Sequence, residues 1–159
     1  MRGRASFYYR DPAAPEPNRP RTLSVVALIE RDGSLLLERR TDAPLWSLIA
    51  GMVDDRETLL DALTREVREE TGLAVTNYEL FATFSDPTRV VRYADGNVFR
   101  VVSLAYSVGV KSFDELRPSA ESEELRFFPV SELPAVPMPE TQTPIVEKLV
   151  SGEPPPHLE

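Results

Sequence analysis

Three glutamates on one short predicted helix, Glu66, Glu69 and Glu70, are the residues of this sequence best suited to chemistry. The helix is predicted by apolar side chains that recur every three to four residues and so form one core-facing side. Because successive helical residues are about 100° apart, Glu70 projects within about 20° of Leu63 on that side, and Glu66 about 60° from it. Gly72 is a typical helix stop. The carboxylates therefore crowd the edge of a predicted core.

Crowded carboxylates at the edge of a core need a positive partner. Such anions repel one another and lose hydration, which costs several kcal/mol per ion without compensation. Arg65 and Arg68 project to the far side of the helix and cannot supply that charge to Glu70. A divalent cation can, and all-oxygen carboxylate sites suit Mg²⁺ or Mn²⁺, which also bind substrate phosphates. The alternative is a solvated acidic helix, which is the usual state of charge-rich helices.

The spacing of nine positions favours the metal site. Residues 51–73 read GMVDDRETLLDALTREVREETGL, which resembles the signature of the Nudix hydrolases, G-x5-E-x7-R-E-U-x-E-E-x-G-U, where U is aliphatic. Every fixed position is matched, by Gly51, Glu57, Arg65, Glu66, Val67, Glu69, Glu70, Gly72 and Leu73. The resemblance implies an α+β fold, with an αβα sandwich around a mixed β-sheet. It is specific for the superfamily and names no substrate.

The resemblance also implies a reaction, the metal-dependent hydrolysis of a nucleoside diphosphate linked to another moiety. In such a site Glu66, Glu69 and Glu70 hold Mg²⁺, with Mn²⁺ as the alternative ion, and a bound water becomes acidic. By family analogy Glu57 pairs with Arg65 and holds the loop against the helix. All five residues are therefore predicted members of the catalytic site.

A loop glutamate is a further candidate. Relatives often place an aromatic residue at the position of Phe127 and a glutamate a few residues before it, sometimes as an extra metal ligand or base. Glu121 aligns best with that position, and Glu123 and Glu124 compete with it. A solvated acidic loop is the expected state of at least two of the three. The general base, either one of the helix glutamates or a loop glutamate, stays unassigned.

Arginines and one aromatic residue near the signature are candidate substrate contacts, because a guanidinium matches phosphate oxygens bidentately. Relatives often carry arginine at the place of Arg40 and an aromatic residue at that of Trp46. Residues 85–108, like the arm at residues 8–20, resemble Nudix hydrolases described as ADP-ribose pyrophosphatase-like. They add the candidates Arg89, Arg92 and Arg100. Solvated strand-surface arginines are the alternative.

Three functions compete for the predicted site. A pyrophosphatase acting on ADP-ribose or a similar sugar nucleotide is favoured by the flanking resemblance. A housecleaning hydrolase of nucleoside triphosphates or dinucleoside polyphosphates is the second. A non-catalytic Nudix-fold nucleotide sensor is the third, although such modules typically lose signature carboxylates and this chain keeps all four.

Two departures from the family pattern concern the loop around the signature glycine. Relatives usually read Pro-Gly-Gly up to Gly51, where this chain has Ile49 and Ala50, and they usually have glycine where this chain has Arg56. Glycine adopts positive φ cheaply, so the backbone path is open to question here. Neither change removes a carboxylate.

Composition limits the partners. The chain has 159 residues, 42% of them hydrophobic, and a net charge of −8, which argues against nucleic-acid or membrane-surface binding and leaves a small nucleotide as the expected partner. It has no cysteine, which fits the cytoplasm, our expected location. No apolar run reaches the roughly 20 residues of a membrane span.

The elements that must position these residues follow from the same patterns. Strands are predicted at residues 22–30, 34–40, 78–84, 98–110 and 125–130, and a terminal helix at 143–150. The first two strands are predicted to form a hairpin with a tight turn at Asp32 and Gly33. We expect a proline-rich arm over residues 1–20, a Nudix domain over 21–152 and a tail over 153–159. Within the arm, the aromatic residues 7–9 suit a contact with a neighbouring surface of the chain, a homodimer contact or a disordered segment. His157 lies in the tail, which makes it a poor catalytic candidate.

Overall fold

A mixed β-sheet of eight strands forms the centre of the computed structural model, which describes residues 4–159. The first three residues of the predicted arm lie outside this range. The strands are β1 (Ser6–Tyr8), β2 (Thr22–Arg31), β3 (Ser34–Arg40), β4 (Trp46–Met52), β5 (Val75–Phe84), β6 (Val90–Arg92), β7 (Val98–Val110) and β8 (Ser122–Pro129). The helices are α1 (Leu59–Thr71) and α2 (Thr143–Ser151), and 3₁₀ turns occupy Val130–Ala135 and Glu140–Gln142.

Strand β4 separates the two strands of the predicted hairpin. Asp32 and Gly33 form the predicted turn, with φ values of 52° and 76°. Strands β2 and β3 pair only beside this turn. Beyond it, residues 46–48 of β4 pair with β3 and residues 49–52 pair with β2. The turn is therefore confirmed, but the two strands diverge because β4, which was not predicted as a strand, lies between them.

The sheet is mixed because β7 runs parallel to β2 and antiparallel to β5 and β6. Residues 22–29 of β2 pair in parallel with residues 101–108 of β7. The other pairings in the sheet are antiparallel. This confirms the predicted mixed sheet.

Each face of the sheet is covered by one helix. Leu63 and Val67 of α1 pack with β2, β3, β4 and β7 on one face. Ile145 and Val146 of α2 pack with Leu133 of the first 3₁₀ turn on the other. Nearly continuous apolar runs in β2 and β3 follow from this, because both of their faces are buried. The αβα sandwich is confirmed.

Helix α1 begins and ends with residues suited to those positions. The Thr58 hydroxyl accepts from the backbone N–H of Asp61, and the Asp61 carboxylate accepts from the backbone N–H of Thr58, which forms a capping box. At the other end Gly72 has φ of 75°, and its N–H donates to the carbonyl of Arg68 over 2.9 Å. A residue with a Cβ is strained at that φ, so the predicted stop is confirmed.

Both terminal segments contact the sheet. Strand β1 pairs with β6, and the backbone N–H groups of Asn18 and Arg19 donate to the carbonyl of Val98. At the other end His157 forms a parallel bridge with Ala82 of β5. No helix in residues 4–159 has the length and apolar character needed to cross a membrane.

Candidate active site

A cavity of about 490 Å³ opens beside the middle of the sheet. It is lined by the end of β3, the start of β2, the part of β4 that pairs with β2, and one side of α1. Its volume lies within the range of small-molecule sites. Its charged lining residues are Glu38, Arg40, Asp42, Glu66, Glu70, Arg89 and Glu121.

Arg65 connects the loop before α1 to the glutamates of the helix. Its guanidinium donates to both Glu57 oxygens over 2.6 and 2.9 Å, to Glu66 over 2.7 Å and to Glu69 over 3.4 Å. It also donates to the carbonyl of Met52 over 3.1 Å, which ties β4 to the helix. The predicted contact between Glu57 and Arg65 is present. These hydrogen bonds lower the pKa of Glu57 to about 2.

Gly51 allows the Glu66 carboxylate to lie against the backbone of β4. A Cβ at position 51 would overlap the carboxylate carbon and both oxygens of Glu66. Burial raises the pKa of Glu66, while the hydrogen bond from Arg65 opposes that rise. The signature glycine is therefore required here by the space that a neighbouring carboxylate occupies.

Glu70 is buried on the core-facing side of α1, where the helical pattern predicted it. Its residue is 9% exposed, and within residues 4–159 its Oε2 has no hydrogen-bond partner. Burial raises the pKa of Glu70 to about 9, and the charges of Glu38 and Glu66 add to the rise. A backbone hydrogen bond from Ala50 and the charge of Arg40 oppose it. The carboxylate faces the cavity with much of its charge uncompensated.

Glu38 of β3 is a cavity residue that sequence reasoning missed. It is 4% exposed, and its Oε2 is a second buried oxygen that lacks a partner within the described part of the chain. Burial raises the pKa of Glu38 to about 7, and Arg40 opposes the rise. A signal was present in the sequence, because Glu38 is two residues from Leu36 and strand alternation puts both on one face. Leu36 packs against α1, the helix that carries Glu70.

The carboxylate oxygens of this cavity fit a hard divalent cation by their chemistry and by the two oxygens that lack partners. In their present conformations, no three histidine, cysteine, aspartate or glutamate side chains within residues 4–159 are grouped to hold a metal ion. Arg65 forms ion pairs with Glu66 and Glu69, and the Glu69 side chain is 62% exposed. Glu69 is therefore directed to Arg65 and is not among the residues that line the cavity.

Arg40 and Arg89 both line the cavity but differ in their partners. Arg40 donates twice to Asp42, each time over 2.6 Å, and its guanidinium carbon lies 5.2 Å from the centre of the Phe7 ring. Arg89 is 2% exposed. Its guanidinium donates to the carbonyls of Thr141, Phe84 and Val101 and to the hydroxyl of Ser103. Arg89 therefore joins three segments of backbone, a role that sequence did not predict.

Three other predicted substrate contacts are not part of the cavity. Trp46 packs edge-to-face on Phe128, with ring centres 4.8 Å apart. Arg92 is exposed on β6, where its neighbours on either side, Val91 and Tyr93, line the cavity. Strand alternation therefore directs Arg92 the other way. Arg100 donates to the carbonyl of Pro87.

Among the loop glutamates, Glu121 lines the cavity. Its charge raises the pKa values of Glu38 and Glu66, after the larger effect of burial. Its backbone carbonyl accepts from the N–H and hydroxyl of Thr41. The two competing residues lie on β8 and form ion pairs, Glu123 with Arg39 of β3 over 3.3 Å and Glu124 with Arg126 of β8 over 2.6 Å.

The departures from the family pattern leave the site backbone regular. Ile49 and Ala50 lie within β4 in extended conformation. Arg10 and Asp32 are the non-glycine residues with positive φ in residues 4–159, so Arg56 does not require the freedom of glycine. Residues other than glycine therefore fit the backbone at positions 49, 50 and 56.

Comparison with known proteins agrees with this geometry. The model of the NUDIX domain family matches residues 18–149. An ADP-ribose pyrophosphatase from Methanocaldococcus jannaschii is 32% identical over 115 residues, which are 70% of this chain and 64% of that protein. Nucleoside triphosphatase NudI from Escherichia fergusonii is 40% identical over 84 residues, 49% of this chain and 59% of that protein. The match thus spans less than two thirds of either relative.

The fold is also similar to that of a solved structure. A NUDIX hydrolase from Nitrosomonas europaea superposes with a TM-score of 0.68 and 26% identity. The superposition covers 88% of this chain and 78% of that one. The cavity and its carboxylates therefore lie in a fold that a NUDIX hydrolase also adopts.

Proposed function

The chain belongs to the Nudix family, and from that membership we propose that it hydrolyses the diphosphate of a nucleoside diphosphate linked to another moiety. The observation that carries the proposal is the buried carboxylate of Glu70, which faces a cavity that also contains Arg40. A buried carboxylate such as that of Glu70 suits a metal ion, and the guanidinium of Arg40 suits two phosphate oxygens at once. Together they suit a metal-bound diphosphate.

The five charged signature residues each have a proposed task in this reaction. Glu66, Glu69 and Glu70 would hold a divalent cation, Mg²⁺ or Mn²⁺. When bound, the cation would neutralise the diphosphate and make a water molecule more acidic. Glu57 and Arg65 fix the loop and the position of Glu66, so they act by holding other groups in place.

The proton of the attacking water is proposed to pass to a carboxylate of the cavity. Glu66, Glu69, Glu70 and Glu121 are the candidates that the sequence offered, and the base stays unassigned among them. Arg40 is proposed to contact the diphosphate, because its guanidinium lines the cavity and is held in orientation by Asp42. Phe7 and Tyr93 add aromatic surface for the nucleoside.

We propose ADP-ribose or a similar sugar nucleotide as the substrate. The support is the 32% identity to an ADP-ribose pyrophosphatase and the resemblance around residues 85–108. Nucleoside triphosphates are the second candidate, because the relative named a nucleoside triphosphatase is 40% identical over its matched residues.

A hydrolysis screen over nucleotides with Mg²⁺ tests both candidates. We expect ADP-ribose to be cleaved to AMP and a sugar phosphate with a higher kcat/KM than any triphosphate. A higher kcat/KM for a triphosphate or dinucleoside polyphosphate selects the second candidate. Nucleotide binding without turnover of any substrate contradicts hydrolysis and supports the nucleotide sensor.

A homodimer is also proposed, on the aromatic residues of the arm. Strand β1 stands at one end of the sheet order, where an unpaired edge suits a second copy. Phe7, however, lines the cavity of its own chain, so Tyr8 and Tyr9 are the residues proposed for the interface. Light scattering that gives a mass near 17.8 kDa contradicts the dimer.

A further inference from the structure

Glu38 is a charged residue in a strand position that otherwise suits a leucine. Residues 35–37 before it are leucines with at most 2% exposure, and Glu38 is itself 4% exposed. It pairs with Ser47 of β4 and Leu125 of β8, so strands flank it on both sides. A buried carboxylate in the middle of a sheet costs free energy unless a partner compensates its charge.

The groups around Glu38 leave its charge poorly compensated. The Ser122 hydroxyl is its hydrogen-bond partner, and Glu121, Asp42 and Glu70 repel it. The positive charge of Arg40 acts on Glu38, but the Arg40 guanidinium is directed to the two oxygens of Asp42. Strands β4 and β8 contribute no cation at the positions that pair with Glu38.

The unpartnered oxygens of Glu38 and Glu70 belong to one cluster. Both side chains line the same cavity, and their charges raise each other's energy. Each Oε2 is buried and lacks a hydrogen-bond partner within residues 4–159, so neither is a solvated surface carboxylate. Two such oxygens on different elements, a strand and a helix, require something positive between them, either a proton or a cation.

We infer that Glu38 is a further ligand of the divalent cation that the glutamates of α1 hold. This inference rests on the proposed function, since it adds a ligand from β3 to a site that the signature places on α1 alone. A divalent cation compensates the negative charges of Glu38 and Glu70 at the same time. A shared proton can bridge the two oxygens but neutralises only one of the two negative charges, and Glu66 and Glu121 add further negative charge nearby.

Binding of Mn²⁺ alone to the purified full chain tests the inference without any assay of activity. Titration calorimetry and the electron paramagnetic resonance signal of free Mn²⁺ give the affinity. The variants are Glu38→Gln, Glu70→Gln and Glu30→Gln, the last of which removes the same charge from an exposed position of β2. We expect Glu38→Gln and Glu70→Gln to weaken Mn²⁺ binding by about tenfold or more, and Glu30→Gln to match wild type.

The outcomes separate the inference from the proposed function. Absence of Mn²⁺ binding by the wild type overturns both. Weakened binding in Glu70→Gln, together with unchanged binding in Glu38→Gln, overturns the inference alone and leaves a shared proton as the explanation. If Glu38→Gln does not fold, Glu38→Leu, which restores the apolar strand pattern, is judged by the same criterion.

Discussion

The acidic residues around α1 form two groups with opposite surroundings. The paired group consists of Glu57, Glu66 and Glu69, each of which accepts a hydrogen bond from Arg65. The buried pair consists of Glu38 and Glu70, each of which has an oxygen that lacks a partner within the described residues. The two groups lie within one site, because Glu66 lines the same cavity as the buried pair.

The difference shows which carboxylates the protein itself stabilises. Hydrogen bonds from Arg65 lower the pKa of Glu57 to about 2, so the fold stabilises the charged form of Glu57. Burial raises the pKa of Glu70 to about 9, so the charged form of Glu70 destabilises the cation-free fold. The protein thus supplies positive charge from Arg65 to Glu57, Glu66 and Glu69 and leaves one buried oxygen each of Glu38 and Glu70 without a partner within residues 4–159. This is the arrangement expected if an external cation compensates the buried pair.

The largest expected effect comes from the buried pair. Glu70→Gln keeps the shape of the side chain but removes its charge, so hydrolysis with Mg²⁺ should fall by at least about a hundredfold. The measurement is kcat/KM on the best substrate of the screen, with Glu30→Gln as the control. Full activity in Glu70→Gln would show that Glu70 is not part of the reaction.

The second test compares the two cavity arginines. Arg40→Gln should lower kcat/KM by about tenfold to a hundredfold, mainly through a higher KM, because one fork of donors to the diphosphate is lost. Arg89→Gln should instead lower the Tm, because buried carbonyls lose their donor. Steady-state kinetics paired with melting curves separate the two roles. A large fall in Tm for Arg40→Gln with unchanged KM would reverse the assignment.

The third test addresses the paired group. Glu57→Gln weakens the hold on Arg65, and we expect activity to fall by about tenfold because Glu66 loses its fixed position. Asp61→Asn is the matched control, since it disturbs the capping box of the same helix without touching Arg65. Both variants should lower the Tm. Equal activity losses in the two would mean that Glu57 acts only through the stability of the helix.

The sequence predicted α1 and its glutamates well because two independent patterns coincide there. The apolar stripe fixed the orientation of Glu70, and Gly72 fixed the end of the helix. The mixed sheet and the sandwich came from the family resemblance. Several longer strands were predicted from β-branched and apolar runs, and the structure contains them with shifted ends.

Strand β4 and the Glu38 site were missed for a physical reason. Ala50 and Gly51 lower the local strand propensity of residues 46–52, and pairing with two neighbouring strands forms β4 in spite of them. Glu38 reads locally as the polar end of a hydrophobic strand. Alternation with Leu36 indicates which face of the sheet Glu38 occupies, but only the tertiary structure shows that α1 covers that face. Trp46 and Arg92 were misplaced for a related reason, since strand phase decides which face each side chain occupies.

The smallest expected effect, on the stability of the cation-free protein, separates the two groups most cleanly. The folded-state pKa of Glu70, about 9, lies above its ordinary value of 4.5. The neutral form therefore stabilises the fold, and this contribution is fully present below about pH 4.5 and is lost as the pH rises through about 9. Without a cation, wild type should lose stability relative to Glu70→Gln over that window. The sign is opposite for Glu57, whose lowered pKa gives a contribution that is lost only as the pH falls toward about 2.

Melting curves in a chelator between pH 5 and pH 9 measure this difference. At the alkaline end we expect Glu70→Gln to be more stable than wild type by on the order of 2 kcal/mol, about 4–8 °C in Tm for a chain of this size. Adding Mg²⁺ should raise the Tm of wild type and reduce the gap, because a ligand that binds only the folded state stabilises it. The Tm of Glu57→Gln should not exceed that of wild type at pH 9, because the substitution removes negative charge next to Arg65. A Glu70→Gln variant whose Tm follows wild type at every pH would mean that Glu70 is solvated in the folded protein, and the contrast between the two groups would then disappear.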